Sequence, residues 1–140
     1  MKDNSIDISK LKADFSPGNA PRDEKMIELL KKAYVGELLC HKALIKIGGI
    51  KPYSNFRPFI PEKLIKHFED RVSNDQPLEI FVYPENGKFI MSDDYNAYYH
   101  NLYRGFKEML CVVLGDPTGE FVIEKGKPFK LPPPSVQVIE

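Results

Sequence analysis

The chain has 140 residues, 42% hydrophobic and 29% charged, and its twenty basic side chains balance twenty acidic ones. That length supports one domain with a modest core plus extensions, and a net charge of zero removes any global electrostatic case for nucleic acid. No apolar run approaches the ~18–20 residues of a membrane span and no signal peptide opens the sequence, so a cytoplasmic protein that avoids membranes is expected.

The charge is nevertheless unevenly spread. Residues 41–71 carry seven Lys or Arg against three Asp or Glu, and residues 72–140 carry six against ten. A basic patch on the middle segment would follow, although a scattered solvated face explains the same count more simply. The two cysteines, Cys40 and Cys111, lie in apolar surroundings and read as buried free thiols. No cysteine–histidine cluster has metal-ligand spacing, and neither a bound metal nor a cofactor is expected.

Taken in chain order, residues 1–20 are polar, broken by Ser16-Pro17-Gly18-Asn19, and read as a loosely held arm. A helix is predicted over 21–38, with Asp23 and Glu24 at the positive end of its dipole. Ile27, Leu30, Tyr34 and Leu38 form its apolar stripe, with Glu28 and Lys32 as an i,i+4 pair outside. A strand over 41–50 follows, bent by Gly48-Gly49, and then a helix over 61–73 with Leu64, Ile65, Phe68 and Val72 inward. Residues 78–83 are short, apolar and rich in β-branched and aromatic side chains, as a buried strand requires. Asn86-Gly87 supplies the two positive-φ positions of a tight hairpin turn, and residues 88–91 return as its second strand.

Ser92 or Asp93 is placed to cap a helix over 94–104, which Gly105 closes in the left-handed conformation. Tyr95, Tyr98, Tyr99, Leu102 and Phe106 follow helical spacing and are expected to be its core face, with Tyr103 at the edge. Residues 109–114 form a further strand, stopped by Gly115-Asp116-Pro117. A last strand is expected over 120–124. Residues 127–140, with Pro132-Pro133-Pro134, read as an extended tail, since a proline triplet joins neither helix nor sheet interior.

The segments from Ile47 to Asp116 resemble the ParB/sulfiredoxin-like superfamily. Ile50-Lys51-Pro52 is similar to the family's opening strand, Asn55-Phe56-Arg57-Pro58 to its Asn-Pro-Arg segment, and Gln76-Pro77-Leu78 to the approach to its hairpin. Ile90-Met91-Ser92-Asp93 falls where the family's strand runs into its phosphate-holding turn, a glycine followed by paired arginines at a helix N-terminus. Here Asp94 replaces the glycine, Asn96 and Ala97 stand at the arginine positions, and no sulfiredoxin-type cysteine is present. The resemblance implies an α+β fold with a small mixed sheet flanked by helices. To this are added an N-terminal helix, so that the domain covers 21–126, and the proline-rich tail.

The functional expectation is a catalytically degenerate member of that superfamily, acting as a binding or regulatory module and holding nucleotides weakly or not at all. Its candidate pocket comprises Arg57, Asp93, Asp94, Tyr95, Asn96 and His100, with no catalytic residue assigned. Protein partners are expected at the N-terminal helix, the 94–104 helix or the proline-rich tail. One alternative is a nucleotide-dependent phosphotransferase or nuclease, in which Asp93, Asp94, Asn96 and His100 gather a divalent cation. Set against it, acidic first turns commonly cap helices and His100 is more simply a surface or packing residue. The corresponding choice for Arg57 is an anion contact or a surface salt bridge. Weak DNA binding of ParB type through residues 41–71 is a further alternative, made less favourable because no separate helix-turn-helix domain fits in this length.

Overall fold

A computed structural model of the protein describes residues 19–58, 63, 65–67 and 77–131. The elements are α1 (Glu24–Tyr34), β1 (Cys40–Lys46), a 3-10 turn (Ile47–Gly49), β2 (Ile50–Pro52), β3 (Ile80–Glu85) and β4 (Lys88–Met91). They continue as α2 (Tyr95–Tyr103), β5 (Glu108–Leu114) and β6 (Val122–Phe129). Lys63 and residues 65–67 are also helical, within the helix expected over 61–73, and Ile65 is buried as expected. The expected inward positions Leu64, Phe68 and Val72, most of the N-terminal arm and tail residues 132–140 lie outside the described residues.

The β3–β4 hairpin turns at Asn86 and Gly87, whose φ values of +50° and +79° supply the two positive angles that the sequence predicts. Six strands form one sheet in the order β2-β4-β3-β5-β1-β6. β2 runs parallel to β4 and β3 parallel to β5, while the other neighbours are antiparallel. The protein is therefore α+β with a mixed sheet.

That order has a geometric consequence. β1 and β2 stand four places apart in the sheet, yet only the 3-10 turn joins them. A flat sheet would separate them by ~19 Å, at ~4.8 Å per strand. The four peptide links from Lys46 to Ile50 reach at most ~14 Å. The sheet must therefore roll, bringing its β2 edge round toward β1, in the sense that strand twist favours.

Alternation along the strands divides the interior into two cores. Ile45, Ile50, Ile80, Val82, Phe89, Met91, Met109 and Val113 pack on one side with Tyr95 and Tyr98 of α2. Tyr83, Ile90, Val112 and Leu114 pack on the other side with Met26 and Ala33 of α1. Burying each large apolar side chain contributes about 1.5–3 kcal/mol. Cys40 and Cys111 are free thiols in opposite cores, as β-strand parity requires.

α1 thus lies against its own sheet, rotated from the expected stripe. Met26 and Ala33 are buried, with Leu29, Leu30, Tyr34 and Leu38 beside them, and Ile27 lies at the margin. Asp23 sets that rotation. Its Oδ1 accepts the Lys25 and Met26 N–H groups as an N-cap, while its Oδ2 accepts the Tyr83 hydroxyl at 2.8 Å. Burial and the Asp23 carboxylate push the Tyr83 phenol well above its ordinary pKa.

β6 runs on to Phe129, beyond the strand expected over 120–124 and into the tail expected over 127–140. Leu131 is buried in the α1-side core. An edge position makes the extension compatible with its residues. Pro128, opposite His41, lacks an N–H that only an inner strand would need on both sides. Among the described residues no helix is long and apolar enough to cross a membrane.

Candidate functional site

β4 delivers Ser92, Asp93 and Asp94 to the start of α2. The sequence places the cap at Ser92 or Asp93, but the N-cap position belongs to Asp94, and its side chain makes no capping hydrogen bond. Instead Asp94 Oδ2 accepts the Phe81 N–H at 2.7 Å. The reason lies in the sheet. Residues 80–82 of β3 pair with β5, whereas residues 83–85 pair with β4, so the first half of β3 has a strand on one side only. α2 fastens to this half-paired stretch. Burial raises the Asp94 carboxyl to a pKa of about 6; the Phe81 hydrogen bond opposes the rise, and the charges of Asp93 and Glu79 add to it.

Two turns on, α2 fastens again. Asn101 is fully buried, its Oδ1 accepting the Leu78 N–H and its Nδ2 donating to the Leu78 carbonyl, both at 2.8 Å. The helix closes as the sequence predicts. Gly105 has φ +82°, and its N–H and that of Phe106 donate to the carbonyls of Leu102 and Asn101.

The core face of α2 differs from the expected aromatic stripe. Tyr95, Tyr98 and Phe106 are buried, but Leu102 is exposed and Tyr99 only half-buried, while His100, Asn101 and Arg104 are buried. A stripe drawn from apolar residues alone misses a helix whose inward positions are partly polar. Burial, then the nearby Arg104 charge, lowers the His100 pKa to about 4, so the imidazole is neutral at pH 7. It is an interior residue, about 9 Å of helix rise beyond Asp94.

Arg57 lies against α2. Its guanidinium lies over the rings of Tyr99 and Tyr103, 5.1 and 5.2 Å from their centroids, and those rings stack on each other at 6.0 Å. The preceding residues dock on the same helix. Phe56 packs edge-on against Tyr95, and the Tyr95 hydroxyl is 2.8 Å from Ser54 Oγ, which also accepts the Phe56 N–H.

The six expected pocket residues therefore occupy separate surroundings. Arg57 and Tyr95 lie at the seam where residues 54–57 cover α2. Asp94 and His100 serve the interior, and Asn96 is half-buried with an Oδ1 that lacks a hydrogen-bond partner. Asp93 is the exposed one of the six, and with Tyr95 it lines a cleft of about 190 Å³ between the start of α1 and the Ser92-Asp93 turn. Among the described residues, no group of three His, Cys, Asp or Glu side chains is arranged to hold a metal ion. Sequence reasoning missed Asn101. Asn101 lies seven residues after Asp94, on the same helix face, and that spacing of two polar residues was the available signal. The chain matches no family model, no curated protein and no solved structure.

Proposed function

We propose that the protein is a non-catalytic binding module of ParB/sulfiredoxin-like type, in which the phosphate-holding turn has become part of the fold's own framework. The observation that carries this reading is the Asp94–Phe81 hydrogen bond. At the position where the resemblance expects a glycine open to phosphate, a carboxylate turns inward and ties α2 to β3. Asn96 and Ala97, at the arginine positions, bring no positive charge, and Asp93 adds a negative one. The stacking of Arg57 on two tyrosines supports the same reading, since it engages the one arginine of the expected pocket.

Of the surfaces expected to meet a protein partner, α1 uses its apolar side on the sheet. The reading leaves the outer face of α2, where Leu102 is exposed, and the proline-rich segment. Titration calorimetry with the four ribonucleoside triphosphates and Mg²⁺ tests the proposal. No saturable heat is expected. Micromolar affinity for any of them overturns it in favour of a nucleotide-using enzyme.

A further inference from the structure

α1 buries Met26 and Ala33, and that rotation leaves Ile27 and Leu30 half-buried along the cleft beside Asp93. With Pro21 and Tyr95 they give the cleft an apolar lining. Its polar groups have little left to offer. Both Asp23 oxygens accept hydrogen bonds, from the α1 backbone and from Tyr83, and the Tyr95 hydroxyl is hydrogen-bonded to Ser54. The Ser92 hydroxyl is closed off from solvent. The rim carries one exposed charge of each sign, Asp93 and an Arg22 that also pairs with Glu24. At about 190 Å³ the cleft is larger than an apolar cavity that takes up benzene, ~150 Å³, so one aromatic side chain fits.

The chain itself brings an occupant to this place. Ala20 packs on the α2-side core and Pro21 lines the cleft, so the N-terminal arm joins the fold at the cleft wall. Just before them stands Ser16-Pro17-Gly18-Asn19. Proline second and glycine third is the residue order of a type II turn, in which proline's fixed φ is followed by a positive φ that glycine accepts freely. Such a turn reverses the chain and brings its first and last Cα atoms within ~7 Å of each other. Phe15, outside the described residues, precedes the turn and Ala20 follows it, so the reversal sets Phe15 opposite Ala20. Lys12 and Asp14 give its approach one charge of each sign, as the rim has.

We propose that the Ser16–Asn19 turn folds Phe15 of the chain's own arm into this cleft, where its ring packs on Ile27, Leu30 and Tyr95. The drive is the apolar surface that ring and wall together remove from water. Closing so short a loop costs little further entropy, and the other apolar residues of the arm, Ile6, Ile8 and Leu11, would need longer ones. A polar small molecule finds no set of free partners here, since Asp23 and Tyr95 are engaged and Ser92 is closed off. The arm is thus a built-in plug: seated, it closes the cleft to outside molecules, and a partner that draws it away opens an apolar surface beside α1. The inference goes beyond the binding-module reading and holds whether or not nucleotide binds.

The test is NMR on the full chain. Nuclear Overhauser contacts are expected from the Phe15 ring to the methyl groups of Ile27 and Leu30, with intensities that do not change on dilution. Phe15→Ala, which alters none of the described residues, should abolish them and shift the amides of residues 20–30 and 92–95. Leu11→Ala should leave those amides in place. Gly18→Val, which disfavours the positive φ at the third turn position, should weaken the Phe15 contacts. Absence of the ring contacts, amides that respond to Leu11→Ala but not to Phe15→Ala, or contacts indifferent to Gly18→Val overturns the inference. Contacts seen only between differently labelled copies overturn it as well, since the occupant would then be the arm of a second chain.

Discussion

Asn101 holds Leu78 by both of its backbone groups, so that one side-chain amide takes the place of a neighbouring strand at the start of β3. Replacing it with leucine keeps the volume but strands a buried N–H and a buried carbonyl. At about 1–3 kcal/mol for each unsatisfied group, Asn101→Leu should lower stability by about 2–6 kcal/mol. Denaturant unfolding checks this. A loss below 1 kcal/mol would mean that the clasp contributes little.

The Tyr83–Asp23 bond plays the corresponding part on the other face, fixing α1. Tyr83→Phe should cost about 1–3 kcal/mol, because the lost hydrogen bond ends on a carboxylate. Asp23→Ala should cost more, since the N-cap disappears with it. The double variant should fall short of the sum, because both single changes remove the same bond. A double-mutant cycle measures that coupling, and strict additivity would show the two residues to be independent.

Asp94 and His100 have opposite pH dependences. Folded Asp94 holds its proton up to a pKa of about 6 against 3.8 for the free group, so its contribution favours the fold below 3.8 and is lost as pH rises through about 6. Folded His100 has a pKa of about 4 against 6.5, so its contribution is present above 6.5 and is lost as pH falls toward 4. Between about pH 4 and 6 the two slopes cancel. Asp94→Asn removes one of them while keeping an acceptor for the Phe81 N–H. The variant should gain stability with rising pH across that window, by up to ~1.4 kcal/mol per unit, where the parent chain stays nearly level. Chemical denaturation at half-unit pH steps decides it, and parallel profiles for the two proteins would refute the assignment.

Arg57 lowers the Tyr99 phenol's pKa, against the stronger upward push of burial. Arg57→Gln should therefore raise the Tyr99 pKa further, which spectrophotometric titration of tyrosinate detects in a chain without tryptophan. Arg57→Lys keeps the charge but loses the planar stack, and should cost about 0.5–1 kcal/mol in a thermal melt.

Local chemistry made some of this fold readable from the residues. Asn86-Gly87 and Gly105 announce a backbone conformation that few other residues accept, and both turns lie where the sequence puts them. The α+β class, which the resemblance implies, is also the class of the fold. The candidate site was harder to read, because Asp94 and Asn101 act on Phe81 and Leu78, partners fixed by which half of β3 lacks a neighbour. That is a property of sheet register, and no nearby residue encodes it. The same holds for α1, where a distant tyrosine, Tyr83, decides which face of the helix is buried.

The position of β1 in the sheet bears on the order of events as the chain emerges from the ribosome. β1 is made early, yet both of its neighbours, β5 and β6, come more than sixty residues later. Until they emerge, its two hydrogen-bonding edges and the apolar side chains of Ala43 and Ile45 have no strand partners. Such long-range pairing is slow to form, because loop closure comes before any contact rewards it. The nascent chain therefore carries an open, sticky strand while more than sixty further residues are made, a state in which chaperone holding and misassociation compete. A release just before β5 would yield a product with no way to close its sheet.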